Sequence, residues 1–272
     1  MFRILVCVKQ VPEVTNVTVN PETGTLNREG VASILNPFCE YALDLALDLR
    51  ERHPQWDIEI VVVTMGPPQA RAALMRCLEM GADRGVLLTD RRFAGADTWA
   101  TALTIAGTVR QLGDDFDLIL VGKHAIDGDT AQTGPEIAEC LGIPQVTYAV
   151  GLELEENARK TNRWVRARRE TEQGYEVMRM LLPGVVSVSK GADVRQVCSL
   201  QDIVDARAKD ITEMNADDIG LEESDLGLTG SLTQGVKIFP PPAKTVGQTI
   251  TGADPDEAAI RLVGILKERG FV

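Results

Sequence analysis

Leu118-Ile119-Leu120-Val121 runs into Gly122-Lys123-His124-Ala125-Ile126-Asp127-Gly128-Asp129-Thr130-Ala131-Gln132-Thr133-Gly134-Pro135, and this into Glu136-Ile137-Ala138-Glu139-Cys140-Leu141-Gly142. Four consecutive apolar residues read as a strand covered on both faces. The segment from about 132 to 141 reads as a helix stopped at Gly142, the residue type that suits the position after a C-cap. A buried strand that passes through a glycine-rich loop into a helix is the repeating unit of a parallel sheet. The same unit recurs upstream. Phe2–Val8 is apolar after Arg3, Ile58–Thr64 forms a second strand ending in Met65-Gly66-Pro67-Pro68, and Val86–Thr89 forms a third. A helix follows each: one opening at Asn36-Pro37, one over 69–80 stopping at Gly81, and one from about Asp97 to Leu112. Right-handed crossovers then place helices on both faces of a mostly parallel, doubly wound α/β sheet. Ligands of such sheets sit beyond the carboxyl ends of the strands, here at Lys9–Pro12, Met65–Pro68, Asp90–Asp97 and Gly122–Thr130.

Beyond residue 150 the pattern changes. Leu152–Glu155, Trp164–Arg168, Tyr175–Leu182 and Val185–Val188 alternate or run apolar, predicting a small antiparallel extension with Gln173-Gly174 as a turn. A short helix is expected over Leu200–Ala208 and a last one over Asp254–Arg269. Between them, 215–253 has little periodicity and carries Pro240-Pro241-Pro242. So long an irregular stretch is unusual inside a compact domain, and it predicts an arm that wraps another subunit. The expected division is a nucleotide-binding α/β domain over 1–209 and a C-terminal arm and helix over 210–272.

The formal charge of −12 over 272 residues argues against nucleic acid or an anionic membrane as the main partner, because both demand clustered Lys and Arg. Six basic residues between 159 and 169 read as a solvated face or a docking surface; nine acids over 202–225 read as solubility or recognition. Five dispersed cysteines without a C-x-x-C pair point to reduced thiols and a cytoplasmic location. Two histidines cannot build a His-rich metal site. The opening apolar run is too short for a secretory leader, and no run approaches the ~18 apolar residues that insert directly in a membrane.

Small residues, glycines and hydroxyls at the 122–135 junction let backbone N–H groups approach phosphate oxygens, with a helix dipole behind them. The alternative is an ordinary βα loop. The stretch is neither G-x-x-x-x-G-K-[ST] nor G-x-G-x-x-G, so neither motif's chemistry transfers. Asp97 or Thr98 reads as an N-cap with or without a ligand contact, and His124 as a ligand contact or a solvated loop residue. No Ser/His/Asp, H-E-x-x-H or paired-cysteine arrangement is present, so hard chemistry would belong to a bound cofactor.

Val8-Lys9-Gln10-Val11-Pro12, Asn36-Pro37-Phe38-Cys39, Met65-Gly66-Pro67-Pro68, Met80-Gly81-Ala82-Asp83-Arg84-Gly85, the Gly122–Gly134 loop and Glu176-Val177-Met178-Arg179-Met180-Leu181-Leu182-Pro183-Gly184-Val185-Val186 occur in that order. Through them the chain resembles the β subunit of electron transfer flavoproteins over nearly its whole length. The resemblance implies a nucleotide-binding sheet of the adenine nucleotide α-hydrolase-like kind and a partner α subunit holding FAD. Ordinary members bind AMP in the β subunit; bifurcating members bind a second FAD there. Thr89-Asp90-Arg91-Arg92-Phe93-Ala94-Gly95-Ala96-Asp97-Thr98 and Ile126–Gln132 look like the bifurcating group, whereas Phe38-Cys39-Glu40 is closer to AMP-binding members.

Carried over, the resemblance implies that Cys7 and Lys9 flank the adenosine and that Asn36, Pro37, Phe38, Cys39 and Met65 line the adenine pocket. Gly122, Lys123, His124, Ala125, Ile126, Asp127, Gly128, Asp129, Thr130, Ala131, Gln132 and Thr133 would hold the phosphates. Thr89, Asp90, Phe93, Ala94, Gly95, Asp97 and Thr98 would border the flavin ring, with Gly95 avoiding a clash and Thr98 able to hydrogen-bond it. Leu200 falls in a recognition loop near 195–207 that anchors a partner dehydrogenase. The implied reaction takes hydride from NADH and splits it between ferredoxin or flavodoxin and, through the α-subunit FAD, an acyl-CoA dehydrogenase or quinone oxidoreductase. The alternative is a non-bifurcating β subunit with structural AMP. A stand-alone nucleotide-binding protein of similar topology is opposed by the arm beyond 210.

Overall fold

The computed structural model describes residues 1–13, 32–113, 115–155, 163–191, 197–235 and 247–272. Its contacts divide the chain into Met1–Val236 and Lys237–Val272.

In the first unit, β1 (Phe2–Cys7) is followed by a two-stranded antiparallel ribbon of β2 (Gln10–Pro12) and β3 (Ser33–Leu35), then by α1 (Pro37–Arg52). β4 (Ile58–Met65), α2 (Arg71–Met80), β5 (Arg84–Leu88), α3 (Thr98–Gln111), β6 (Leu118–Gly122) and α4 (Thr133–Leu141) continue the alternation. β7 (Gln145–Glu155), β8 (Trp164–Thr171) and β9 (Gly174–Leu181) form an antiparallel meander, after which β10 (Gly184–Val188), α5 (Leu200–Ala206), β11 (Ile211–Met214) and α6 (Gly227–Gly230) complete the unit. One nine-stranded sheet results, in the order β11-β5-β4-β1-β6-β10-β7-β8-β9. Every neighbouring pair from β11 to β7 is parallel.

Alternate residues of the central strands feed two cores. Ile4, Val6, Ile60, Val62 and Leu120 face α1 and α2. Leu5, Val61, Val63, Ile119 and Val121 face α3 and α4. A sheet covered on both faces needs apolar residues at every position, which is why these strands read as continuous apolar runs. The mostly parallel, doubly wound fold with a small antiparallel extension is thus present.

Three placements differ from the sequence reading. Val185–Val188 does not extend the meander; β10 is fully buried and lies between β6 and β7, parallel to both. The ribbon of β2 and β3 was not anticipated, its strands being three residues each. The chain after 210 also returns to the first unit, because β11 adds to the sheet edge beside β5, and the division falls at 236/237 instead of 209/210. Ile211 and Ile219 are buried there, while the acids between them face outward. Arg159 and Lys160 of the basic run, residues 195–196 of the recognition loop and Pro240–Pro242 lie outside the described residues. In the second unit α7 (Pro255–Glu268) is capped by Asp254, which accepts from Glu257 N, and none of its residues is buried. Among the described residues no helix is long and apolar enough to cross a membrane.

The amino ends of β1, β4 and β5 are tied by charge. Glu59 accepts from Arg3 Nε and Arg84 Nε at 2.8 Å each, and Arg3 also pairs with Asp115. Burial raises the Glu59 pKa, but the two guanidinium hydrogen bonds outweigh it and hold the carboxyl below its usual range. A depressed carboxylate adds stability above the unfolded-state pKa of about 4.3, and that stability is lost as pH falls through the folded value. Glu59→Gln should therefore cost about 2 kcal/mol at pH 7. In urea denaturation the gap to the parent should close below about pH 4; an equal gap at both pH values would contradict the ion-pair account.

Candidate functional site

From β1 the chain steps outward to β4 and β5, then crosses back to β6 on the other side of β1. The β1/β6 junction is therefore the topological switch point, where open α/β sheets form their crevice. The loops after β1 and β6 and the start of α1 meet there.

Asn36 holds them together. Its side chain is buried, donates from Nδ2 to His124 O at 2.9 Å, and accepts the Ile126 N–H on Oδ1 at 3.1 Å. Its own N–H donates to Lys9 O at 2.9 Å. Asn36 stands at the N-cap position of α1, where the sequence places the helix start, but no side-chain cap bond forms, because the amide serves the 122–133 loop. Gly122 is required by close approach, since a Cβ there would lie 2.8 Å from Phe38 C and 2.9 Å from Cys39 N. The Phe38 and His124 ring centroids lie 4.2 Å apart with the rings tilted by 55°, and His124 Nδ1 lies 3.2 Å from Asp129 Oδ1. His124 is thus a packed part of the loop's frame, not a solvated side chain.

At the loop's mouth the Lys9 ammonium is held in an ion pair. Lys9 Nζ reaches both carboxylate oxygens of Asp127, at 2.8 and 3.0 Å. Asp129 and Ala131 take left-handed φ of +48° and +55°, a strain of about 1–3 kcal/mol each that surrounding structure must impose. Left-handed residues in such a turn aim successive N–H groups to one side and make an anion-binding concavity, here directly before the amino end of α4. Residues 127–130 are exposed, and nothing lies within 4 Å of where a Gly128 Cβ would be. Lys123 is not brought in by its side chain: its Nζ sits 4.8 Å from the Tyr148 ring centroid, and its N–H donates to Val188 O.

Cys7 and Cys39 are both buried, and burial raises both thiols. For Cys39 this prevails over donations from Asn36 and from the Lys9 and Gly122 N–H groups. Neither is a thiolate nucleophile.

The 89–98 loop lies alongside. Asp90 accepts from Arg92 Nη2 at 2.8 Å, Arg92 N at 2.9 Å and Ala216 N at 3.2 Å, and these bonds hold its carboxyl well below the usual range. Phe93 is buried in the core shared with α3. Asp97 caps α3 by accepting from Ala100 N at 3.0 Å. Asp97 is thus the N-cap that the sequence suggested, while the Asp90 carboxylate also holds the chain to itself, which the cofactor reading of Asp90 did not foresee. Thr98 Oγ1 donates to Glu136 Oε1 at 3.1 Å, joining the amino ends of α3 and α4. Glu136 was missed: an acid in the first turn of a helix reads as ordinary dipole complementation. Burial raises its pKa, with nearby Asp97 adding to the rise against the Thr98 hydrogen bond.

Gly95 behaves differently from the sequence expectation. Its φ is +76°, and a Cβ would meet Leu228 Cβ at 3.1 Å. The glycine is demanded by its own backbone and by Leu228, whichever ligand binds. Leu200 opens α5 behind a Ser199/Asp202 capping box and is 83% exposed, so it is no core residue.

The strand switch point, the left-handed 122–133 loop, Lys9 and the amino end of α4 together mark an α/β subunit of the doubly wound class. Residues 23–219 match the electron transfer flavoprotein domain. The chain is 44% identical over 271 residues to the caffeyl-CoA reductase–Etf complex subunit CarD of Acetobacterium woodii, covering all of both chains. It is 43% identical over 271 residues to the electron transfer flavoprotein subunit beta of Clostridium acetobutylicum, again covering all of both. It is also 38% identical over 263 residues to the acryloyl-CoA reductase electron transfer subunit gamma of Anaerotignum propionicum, covering 94% of this chain and 95% of that one. The chain belongs to the electron transfer flavoprotein β-subunit family.

Proposed function

We propose that this chain is a cytoplasmic β subunit of the bifurcating kind, with FAD in the crevice at the β1/β6 switch point. The observation that carries the reading is the Thr98–Glu136 hydrogen bond. It joins the amino ends of α3 and α4, the helices that follow the 89–98 and 122–133 loops, and so sets the proposed flavin border beside the phosphate cradle. The donor set fits a dinucleotide: Lys9 for charge, the N–H groups around the left-handed 129 and 131 for phosphate oxygens, and open space at Gly128.

A bound FAD would supply hydride acceptance from NADH and one-electron release, to ferredoxin or flavodoxin and, through the α-subunit FAD, to an acyl-CoA dehydrogenase or quinone oxidoreductase. The protein's own groups bind and orient. Lys9 is held by Asp127 and would exchange that carboxylate for phosphate. Asn36 fixes the loop backbone to α1 and β1, so the N–H groups need no reorganisation on binding. Thr98 shares its hydroxyl with Glu136 and would offer an acceptor lone pair to a ring N–H. The α7 face, with Ile260 and Val263 exposed, would pack on the α subunit. Leu200 would dock the acyl-CoA enzyme, in keeping with the names of the relatives from caffeyl-CoA and acryloyl-CoA reductase complexes.

One observation favours structural AMP instead: Phe38-Cys39-Glu40, at the start of α1 beside the crevice, is closer to AMP-binding members of the family. An anaerobic assay of the heterodimer separates the two. NADH should reduce ferredoxin only when an acyl-CoA acceptor enzyme is present, and Leu200→Ala should slow that acceptor branch with flavin content unchanged. Absence of ferredoxin reduction with both acceptors supplied would favour AMP, and flavin loss in Leu200→Ala would make Leu200 a packing residue.

A further inference from the structure

We propose that residues 228–233 clasp the loop between β5 and α3 and thereby select the nucleotide, holding that loop in the conformation that admits a flavin. The inference rests on the FAD reading above and adds positioning residues to it that lie more than a hundred residues along the chain.

The links end on three residues of the loop, Ala94, Gly95 and Asp97. Leu228 N donates to Ala94 O at 3.0 Å, and the Leu228 side chain lies against Gly95. The Asp97 N–H donates to Ser231 Oγ at 2.8 Å, and Ser231 Oγ in turn donates to Gly227 O at 2.8 Å. Asp97 Oδ2 accepts from both Thr233 N, at 2.8 Å, and Thr233 Oγ1, at 2.9 Å, while Oδ1 caps α3. Burial raises the Asp97 pKa, yet the donors from Ala100 and Thr233 overcome it and keep the carboxylate ionised, the state the clasp needs.

Apolar packing would suffice to fill space. These links instead fix main-chain polar groups from Ala94 to Asp97, the stretch whose path Gly95 leaves most free. Holding a loop by outer contacts is how a site keeps its geometry when the contacting residues are themselves on a loop. The next residue after the clasped stretch is Thr98, which binds Glu136 across the crevice. Opening the clasp therefore releases the flavin border while leaving Lys9, Asn36 and the 122–133 loop untouched.

The test uses the heterodimer stripped of its β-site nucleotide, with affinities for FAD and for AMP measured separately. Ser231→Ala/Thr233→Val should lower the FAD-to-AMP affinity ratio about tenfold or more, as expected for losing several hydrogen bonds, with AMP affinity unchanged. Thr233→Ser keeps the hydroxyl and should restore the parental ratio. If the double variant yields no folded heterodimer, Thr233→Val alone is read the same way. An unchanged ratio, or equal loss of FAD and AMP, overturns the clasp. Parental protein that binds AMP and not FAD in this site overturns the FAD reading itself and the clasp with it, an outcome visible before any variant is made.

Discussion

Gly128→Val should empty the crevice of its nucleotide and leave the fold intact. Gly128 is exposed, outside the left-handed region, and nothing lies within 4 Å of a Cβ built on it, so valine meets no protein atom. Its N–H donates to Ala125 O at 3.2 Å, a bond any residue can keep. The isopropyl group would instead project from the middle of the phosphate loop. Binding should weaken at least about 100-fold, equivalent to about 2.7 kcal/mol. Melting of the nucleotide-free protein should not move, while the rise that saturating nucleotide gives the parent should vanish. Retained binding would place the phosphates elsewhere. Gly95→Val cannot serve this purpose, because its backbone conformation and Leu228 would punish any side chain with or without a ligand.

Asn36→Ala should combine loss of stability with loss of binding. The buried amide satisfies His124 O and the Ile126 N–H, and alanine would strand both. An orphaned buried polar group costs about 1–3 kcal/mol, so a destabilisation of about 3 kcal/mol is expected. The loop would also lose its anchor to α1, and nucleotide affinity should fall about tenfold beyond what the stability change explains. Denaturant midpoints and a binding titration check the two parts. Stability loss with affinity intact would mean that the loop holds its shape without Asn36.

Much of this was readable in the residues, for physical reasons. β1, β4 and β6 are buried on both faces, so their composition alone marks them, and the glycines and prolines of the connecting loops mark the helices between. The same local logic misplaced β10. Its valines were correctly apolar, but its neighbours β6 and β7 are parallel partners remote in sequence, whereas the preceding hairpins suggested one more antiparallel step. β11 escaped because four residues with a single buried side chain leave no period to read. At the site, the loop residues stood out by composition. Glu136, Leu228, Ser231 and Thr233 did not, since their importance lies in contacts with the 94–98 stretch that span tens of residues to well over a hundred. Asp90 was singled out for a ligand, yet its carboxylate binds Arg92 and Ala216, and Asp97, legible as the N-cap of α3, also holds Thr233.

The central claim is that the crevice between the β1 and β6 loops holds a FAD. Acid release of the bound nucleotides from the purified heterodimer, followed by separation and counting per αβ pair, tests it most directly. Two FAD and no AMP are predicted. One FAD and one AMP would contradict it and make this chain a structural partner of the flavin-bearing subunit.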